Sequence, residues 1–209
     1  MDSSPAYPAT LEIDYPDRSL DRVSTLLRVF YLIPIAILIG LVSNSSYTFT
    51  ANGEAVRTAA AGGGILVMPV VLMLLFRRKY PGWWFDWNLE LTRFTTRVTA
   101  YGALLNDQYP STDEEQTVHL QLARPDGEQL SRWMPLVKWF LAFPHYFCLF
   151  FLGIGAVFAV IIAWFAILFT GHYPRGLFDY VVGVHRWGLR VAAYMEILIT
   201  DEYPPFSLR

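Results

Sequence analysis

The chain has 209 residues, of which 54% are hydrophobic and only 16% charged, with a formal net charge of −2. Soluble domains carry about 25% charged residues, so this composition argues against a soluble globular protein, and the near-neutral balance argues against nucleic acid as a partner. Cys148 is the single cysteine, which excludes an intramolecular disulfide scaffold.

In chain order, the start Met1 to Ser4 lacks the basic residues of a secretory signal, so the first apolar run is expected to be retained. Residues 10–14 alternate apolar and polar side chains, the signature of a half-buried strand. No Asp, Glu, Lys or Arg occurs from Val29 to Gly53, from Thr58 to Phe76, or from Trp139 to Pro174. Uncharged apolar runs of about 18 residues or more are long enough to cross a bilayer as helices. The expected spans are 24–42, 59–76, 135–152 and 155–170. The last two share one run, and Gly153, Ile154 and Gly155 offer the turn between them. Pro34 and Pro144 fall early in the first and third spans, where a missing N–H kinks a helix.

After each expected hairpin comes an amphipathic stretch. Asp86, Glu90, Arg93 and Arg97 share one helical face, as do Asp179, Gly183, Arg186 and Arg190. Trp and Tyr on the other side suit a membrane–water boundary. Residues 117–121 repeat the alternating strand pattern, and the two strands are able to pair into a small sheet. The whole order recurs: a strand, a cation before a proline (Arg28, Lys138), apolar spans, an Arg-bearing helix, then Asp107-Gln108-Tyr109-Pro110 or Asp201-Glu202-Tyr203-Pro204. Self-similarity of this kind points to internal repeats.

The expected fold is therefore an all-α integral membrane protein of two tandem parallel-topology repeats. Each repeat has a short strand, a two-helix transmembrane hairpin and an amphipathic interfacial helix. The first repeat covers 1–110, a linker 111–116 and the second repeat 117–209. Only Arg57 lies in the loop between the first two spans, and the remaining Lys and Arg flank the opposite ends. The positive-inside rule then places both termini and the centre on the cytoplasmic side of the membrane that the four spans cross.

Arg186, Arg190, Arg93, Arg97 and Lys138 are the candidate contacts for an anion or lipid headgroup, because guanidinium forks grip phosphate and carboxylate. Ion pairing within the helix competes with that role. His145 is the candidate intramembrane polar site, and Asp86 and Asp179 are candidate paired carboxylates. Asp107 and Asp201 are expected to cap the ends of the amphipathic helices. The histidines lack metal-ligand spacing, and no nucleophile elbow, phosphate loop or zinc-protease motif is present. No catalytic residue or cofactor is expected.

Several stretches together resemble a known family. They are Arg132-Trp133, Lys138 to Tyr146, Thr170 to Asp179, Arg186-Trp187, Arg190-Val191, Tyr194 and Asp201 to Phe206. They resemble a bacterial membrane-protein family described as domain of unknown function 4389. The first copy resembles it more loosely, with Ile35 at the place of His145 and Gly82-Trp83-Trp84 at that of Arg175-Gly176-Leu177. The resemblance implies a multi-span membrane protein and supplies no catalytic residue or substrate. The functional expectation is a non-enzymatic inner-membrane protein, an accessory or scaffold subunit of a membrane or envelope complex. Its partners would be membrane lipids and a protein partner or a second copy of itself. The alternative is a small transporter or anionic-lipid-handling protein with a site at the repeat interface.

Overall fold

The computed structural model describes residues 7–209 apart from 44, 52–53, 61, 78, 113, 115 and 128–129. Residues 113 and 115 of the expected linker thus lie outside the described residues. The elements in chain order are β1 (Ala9–Ile13), α1 (Arg22–Ser43), β2 (Ser45–Ala51), β3 (Glu54–Ala60) and α2 (Gly62–Arg77), then α3 (Gly82–Gly102), β4 (Val118–Leu122), α4 (Met134–Leu141), α5 (Phe143–Thr170) and α6 (Arg175–Met195).

Strands β1 and β4 pair antiparallel with Leu11 opposite Leu120. Alternation decides their faces: Ala9, Leu11, Ile13, Val118, Leu120 and Leu122 are buried, and Thr10, Glu12, His119 and Gln121 are exposed. An isolated pair of strands is marginal in water. Here β1 packs on α6 and β4 on α3. The same type of side chain ties each contact. Arg186 Nε donates to the Leu11 carbonyl at 2.9 Å and Arg93 Nε to the Leu120 carbonyl at 3.4 Å. The strand residues share one core with Ala103 and Leu105 after α3, the small-residue face of α5, and Val181 and Ala193 of α6.

Helix α5 corrects the expected fold class. The third and fourth expected spans are one helix of 28 residues, Phe143–Thr170, about 42 Å long at 1.5 Å per residue. Gly153, Ile154 and Gly155 lie inside it. Glycine is permitted in a helix at a cost of about 1 kcal/mol relative to Ala, and packing supplies a reason for Gly155. A Cβ there would stand 2.5 Å from the Tyr180 hydroxyl, which donates to the Leu152 carbonyl at 2.9 Å. Ala156, Ala159, Ala163 and Ile167 continue this face and are buried, so α6 and α1 approach closely. Trp164 Nε1 reaches the Thr25 carbonyl of α1 at 3.1 Å. The helix ends at Gly171, whose φ of 77° is the left-handed conformation that side chains resist.

The four-span arrangement and its equal hairpins therefore fail. Among the described residues one helix, α5, is long and apolar enough to cross a membrane. Helix α2 has 16 residues, and positions 59 and 60 of the second expected span belong to β3. The expected loop after the first span forms the β2–β3 hairpin, paired antiparallel from Ser45↔Ala60 to Ala51↔Glu54. The chain is thus not all-α, and the two halves do not share one hairpin unit. One half inserts a β-hairpin between two helices where the other has a single continuous helix. Pro144 lies in the first turn of α5, where a missing N–H is tolerated, just after the break from α4, while Pro34 lies within an unbroken α1.

Candidate functional site

Two buried cations, Arg28 and Lys138, are held in the same way. Arg28 of α1 is bonded to the carbonyls of Tyr101 at 2.8 Å and Asn106 at 2.5 Å. It pairs with Asp107 at 2.5 Å and lies 4.1 Å from the centre of the Tyr101 ring. Lys138 of α4 donates to the Thr200 carbonyl at 2.6 Å and pairs with Asp201 at 2.7 Å, 4.9 Å from the centre of the Tyr194 ring. Each aspartate also accepts a backbone N–H ahead of or at the start of the helix region that carries its cation. Asp21 N–H reaches Asp107 at 2.8 Å and Ser131 N–H reaches Asp201 at 2.6 Å. Leu104 and Leu198 both take positive φ, 64° and 62°, which turns the chain so that the aspartate points back at its cation. Asp107 and Asp201 thus latch helix starts rather than cap the ends of α3 and α6. Burial lowers the pKa of Lys138, and Asp201 offsets part of that effect. The signal for these latches was in the sequence: Arg28 with Asp107 and Lys138 with Asp201 hold matching places in the two halves.

The candidate anion contacts are mostly occupied. Besides its bond to Leu11, Arg186 donates to the Leu208 carbonyl at 3.3 Å. Arg190 donates to the Ser207 carbonyl at 3.2 Å and to that of Arg209. The segment 207–209 therefore lies across both arginines. Burial lowers the pKa of Arg190, and the neighbouring positive charge of Arg186 adds to that. Arg93 pairs with Glu90 at 2.7 Å, and Arg97 donates to the Ser111 carbonyl at 2.6 Å. Lys138 is spent in its latch. Asp86 pairs with Arg124, whereas Asp179 is exposed, so the two carboxylates have different surroundings.

Gly183, at the place of Glu90 in the first half, has a structural reason. A Cβ there would stand 2.8 Å from both the Cβ and the carbonyl oxygen of Leu208. Gly183→Ala is expected to lift the 207–209 segment off α6 and to cost about 1–3 kcal/mol, the usual range for overpacking. Thermal unfolding measures the loss, and faster proteolysis after residue 206 locates it. An unchanged melting temperature and cleavage pattern would refute this role.

His145 is fully buried in α5. Trp187 Nε1 donates to its Nδ1 at 3.0 Å, which leaves the ring proton on Nε2. Phe206 stacks on the imidazole at 4.0 Å, with the Tyr203 ring centre at 4.7 Å. Nε2 has no hydrogen-bond partner among the described residues. The histidine is a buried polar junction joining α5, α6 and the 203–206 segment. Its position facing the protein, with Trp187 as its partner, was not legible from spacing.

Beside it, a groove of about 520 Å³ runs between α5 and α6. It is lined by Tyr146, Leu149 and Phe150 of α5, by Gly188, Val191 and Ala192 of α6, and by Glu196. The outward side of α5, which meets the groove edge at Phe150, has no cover from the described residues. Phe147, Phe150, Phe151, Ile154, Val157, Phe158, Ile161, Ile162, Phe165 and Phe169 are all exposed along one helical stripe. Trp133, just ahead of α4, and Leu136, Val137, Trp139 and Phe140 of α4 are exposed as well. Among the described residues no cluster of His, Cys, Asp and Glu is able to hold a metal ion.

Among the described residues the geometry defines a mainly helical protein with one membrane-length apolar helix, an aromatic flank and internally paired charges. Residues 132–207 match the family described as Domain of unknown function (DUF4389). The match spans α4, α5, α6 and the segment that follows, including both His145 and the Lys138–Asp201 latch. No curated protein and no solved structure matches the chain.

Proposed function

We propose that the protein is a non-enzymatic component of the bacterial inner membrane, held there by α5, which acts as an accessory or scaffold subunit of a membrane or envelope complex. The observation that carries this reading is the exposed stripe of aromatic and aliphatic side chains along α5. Only 17% of the most apolar stretch of α5 is buried, far from the burial of a core helix in a soluble protein. A stripe of this size needs an apolar environment, because contiguous exposed apolar surface beyond a few hundred Å² marks a membrane or protein interface. Support also comes from how the charges are used. Arg28, Lys138, Arg93, Arg97, Arg186 and Arg190 hold this chain's own carbonyls and carboxylates, as befits a rigid platform.

The alternative, a transporter or anionic-lipid-handling protein gripping its ligand with Arg186 and Arg190, has less support because the guanidiniums of both are engaged by backbone carbonyls. The scaffold reading is tested by gentle solubilisation from native membranes, size-exclusion chromatography and mass spectrometry. The expected result is a particle larger than the 23.9 kDa chain, containing either a protein partner at fixed stoichiometry or further copies of the chain. Repeated recovery of a lone monomer would overturn it.

A further inference from the structure

The groove between α5 and α6 carries a more specific inference, which rests on the membrane reading above. Six of its lining residues are apolar, aromatic or glycine, and one, Glu196, is charged. Its volume of about 520 Å³ falls within the range of small-molecule sites, roughly 300–1,000 Å³. Phe150 belongs both to the groove wall and to the exposed stripe. The groove therefore opens onto the same apolar surroundings that the stripe requires. Gly188 keeps it open, since a Cβ there would meet nothing within 4 Å.

Glu196 follows the last residue of α6 and is exposed at the groove mouth. Among the described residues its carboxyl has no ion-pair or hydrogen-bond partner. The polar group that shares the groove with it, the Tyr146 hydroxyl, is committed elsewhere, to Met195 Sδ at 3.1 Å. The apolar walls push its carboxyl above the usual carboxylate range. A facing cation would restore the ionised form. Trp133, just ahead of α4, and Trp139 on α4 are exposed and mark this end of α5 as the headgroup level, where tryptophan concentrates.

We propose that the groove holds one acyl chain of a bilayer lipid whose headgroup carries a primary ammonium, with the Glu196 carboxylate facing that ammonium. Charge complementarity selects the occupant: a carboxylate at the mouth repels a lipid bearing only a phosphate and attracts one with an exposed amine.

The test begins with flotation of the full chain on vesicles of mixed phosphatidylethanolamine and phosphatidylglycerol. Native mass spectrometry in detergent then follows, with equimolar dioleoyl phosphatidylethanolamine and dioleoyl phosphatidylglycerol, whose chains are identical. The protein should float and should retain phosphatidylethanolamine about tenfold over phosphatidylglycerol, as one charge-assisted contact allows. Glu196→Gln should bring that ratio close to one while still binding lipid. Gly188→Leu, whose added side chain enters open space, should lose both lipids. Failure of the wild type to float overturns the membrane reading and this proposal together. Flotation with equal retention of the two lipids, or with phosphatidylglycerol preferred, overturns the lipid site alone. So does full retention by Gly188→Leu.

Discussion

Asp201→Asn lowers the stability of the folded chain by about 3–5 kcal/mol, the cost of leaving a buried charge without its counter-ion. The side chain of Lys138 is 1% exposed and that of Asp201 25%. Removing the aspartate strands an ammonium that water does not reach. Removing the lysine, by Lys138→Met, strands a carboxylate with partial access to solvent, so that change costs less. The Lys138→Met, Asp201→Asn double variant recovers most of the loss, because neither charge then remains to be solvated. In thermal unfolding in detergent the single aspartate change corresponds to a fall of roughly 10 °C for a chain of this size. Equal losses from the two single variants would show that water already reaches Lys138. Asp107→Asn makes a parallel comparison, since Arg28 retains bonds to two carbonyls and is expected to lose less than Lys138 does.

Phe158→Arg separates a membrane helix from an exposed helix in water. Phe158 is 62% exposed near the midpoint of α5. In water such a substitution changes stability by less than about 0.5 kcal/mol. At the centre of a bilayer an arginine costs about 2.5–3.5 kcal/mol on the insertion scale. The variant should therefore lose resistance to alkaline extraction from the membrane fraction. Phe169→Arg, at the end of the same stripe and 78% exposed, should keep it, because its long side chain reaches the interface. Identical extraction of both variants and the wild type would remove α5 from the membrane.

Much of the molecule was legible from local pattern. Alternation placed Leu11 and Leu120 on the inner face of a strand pair, since the side-chain period of a strand leaves one choice of face once one side is apolar. The uncharged run from Trp139 to Pro174 marked out apolar helix able to enter a membrane, but its length reads as two spans with a turn at residues 153–155, where the structure has one helix. Matching positions of Arg28 and Lys138, and of Asp107 and Asp201, carried the two latches, although their pairing needed the turns at Leu104 and Leu198 to be seen.

Only the tertiary structure decided whether that run is one helix or two. A glycine permits a turn and equally permits a close contact, and the outcome at Gly155 depends on the Tyr180 hydroxyl, brought there from another helix. The same holds for the free or occupied state of the arginines. A charged face on a helix is visible in the periodicity, but the carbonyls that satisfy it are not. Leu11 meets Arg186 across 175 positions of sequence, and Leu208 covers the gap at Gly183. Backbone acceptors are present at every residue, so no residue type announces which of them a folded chain will deliver to a given guanidinium. Sequence determined which side chains must leave water. The packing of α6 between β1 and α5 decided which charges remained available, and the groove ending at Glu196 is a product of that packing.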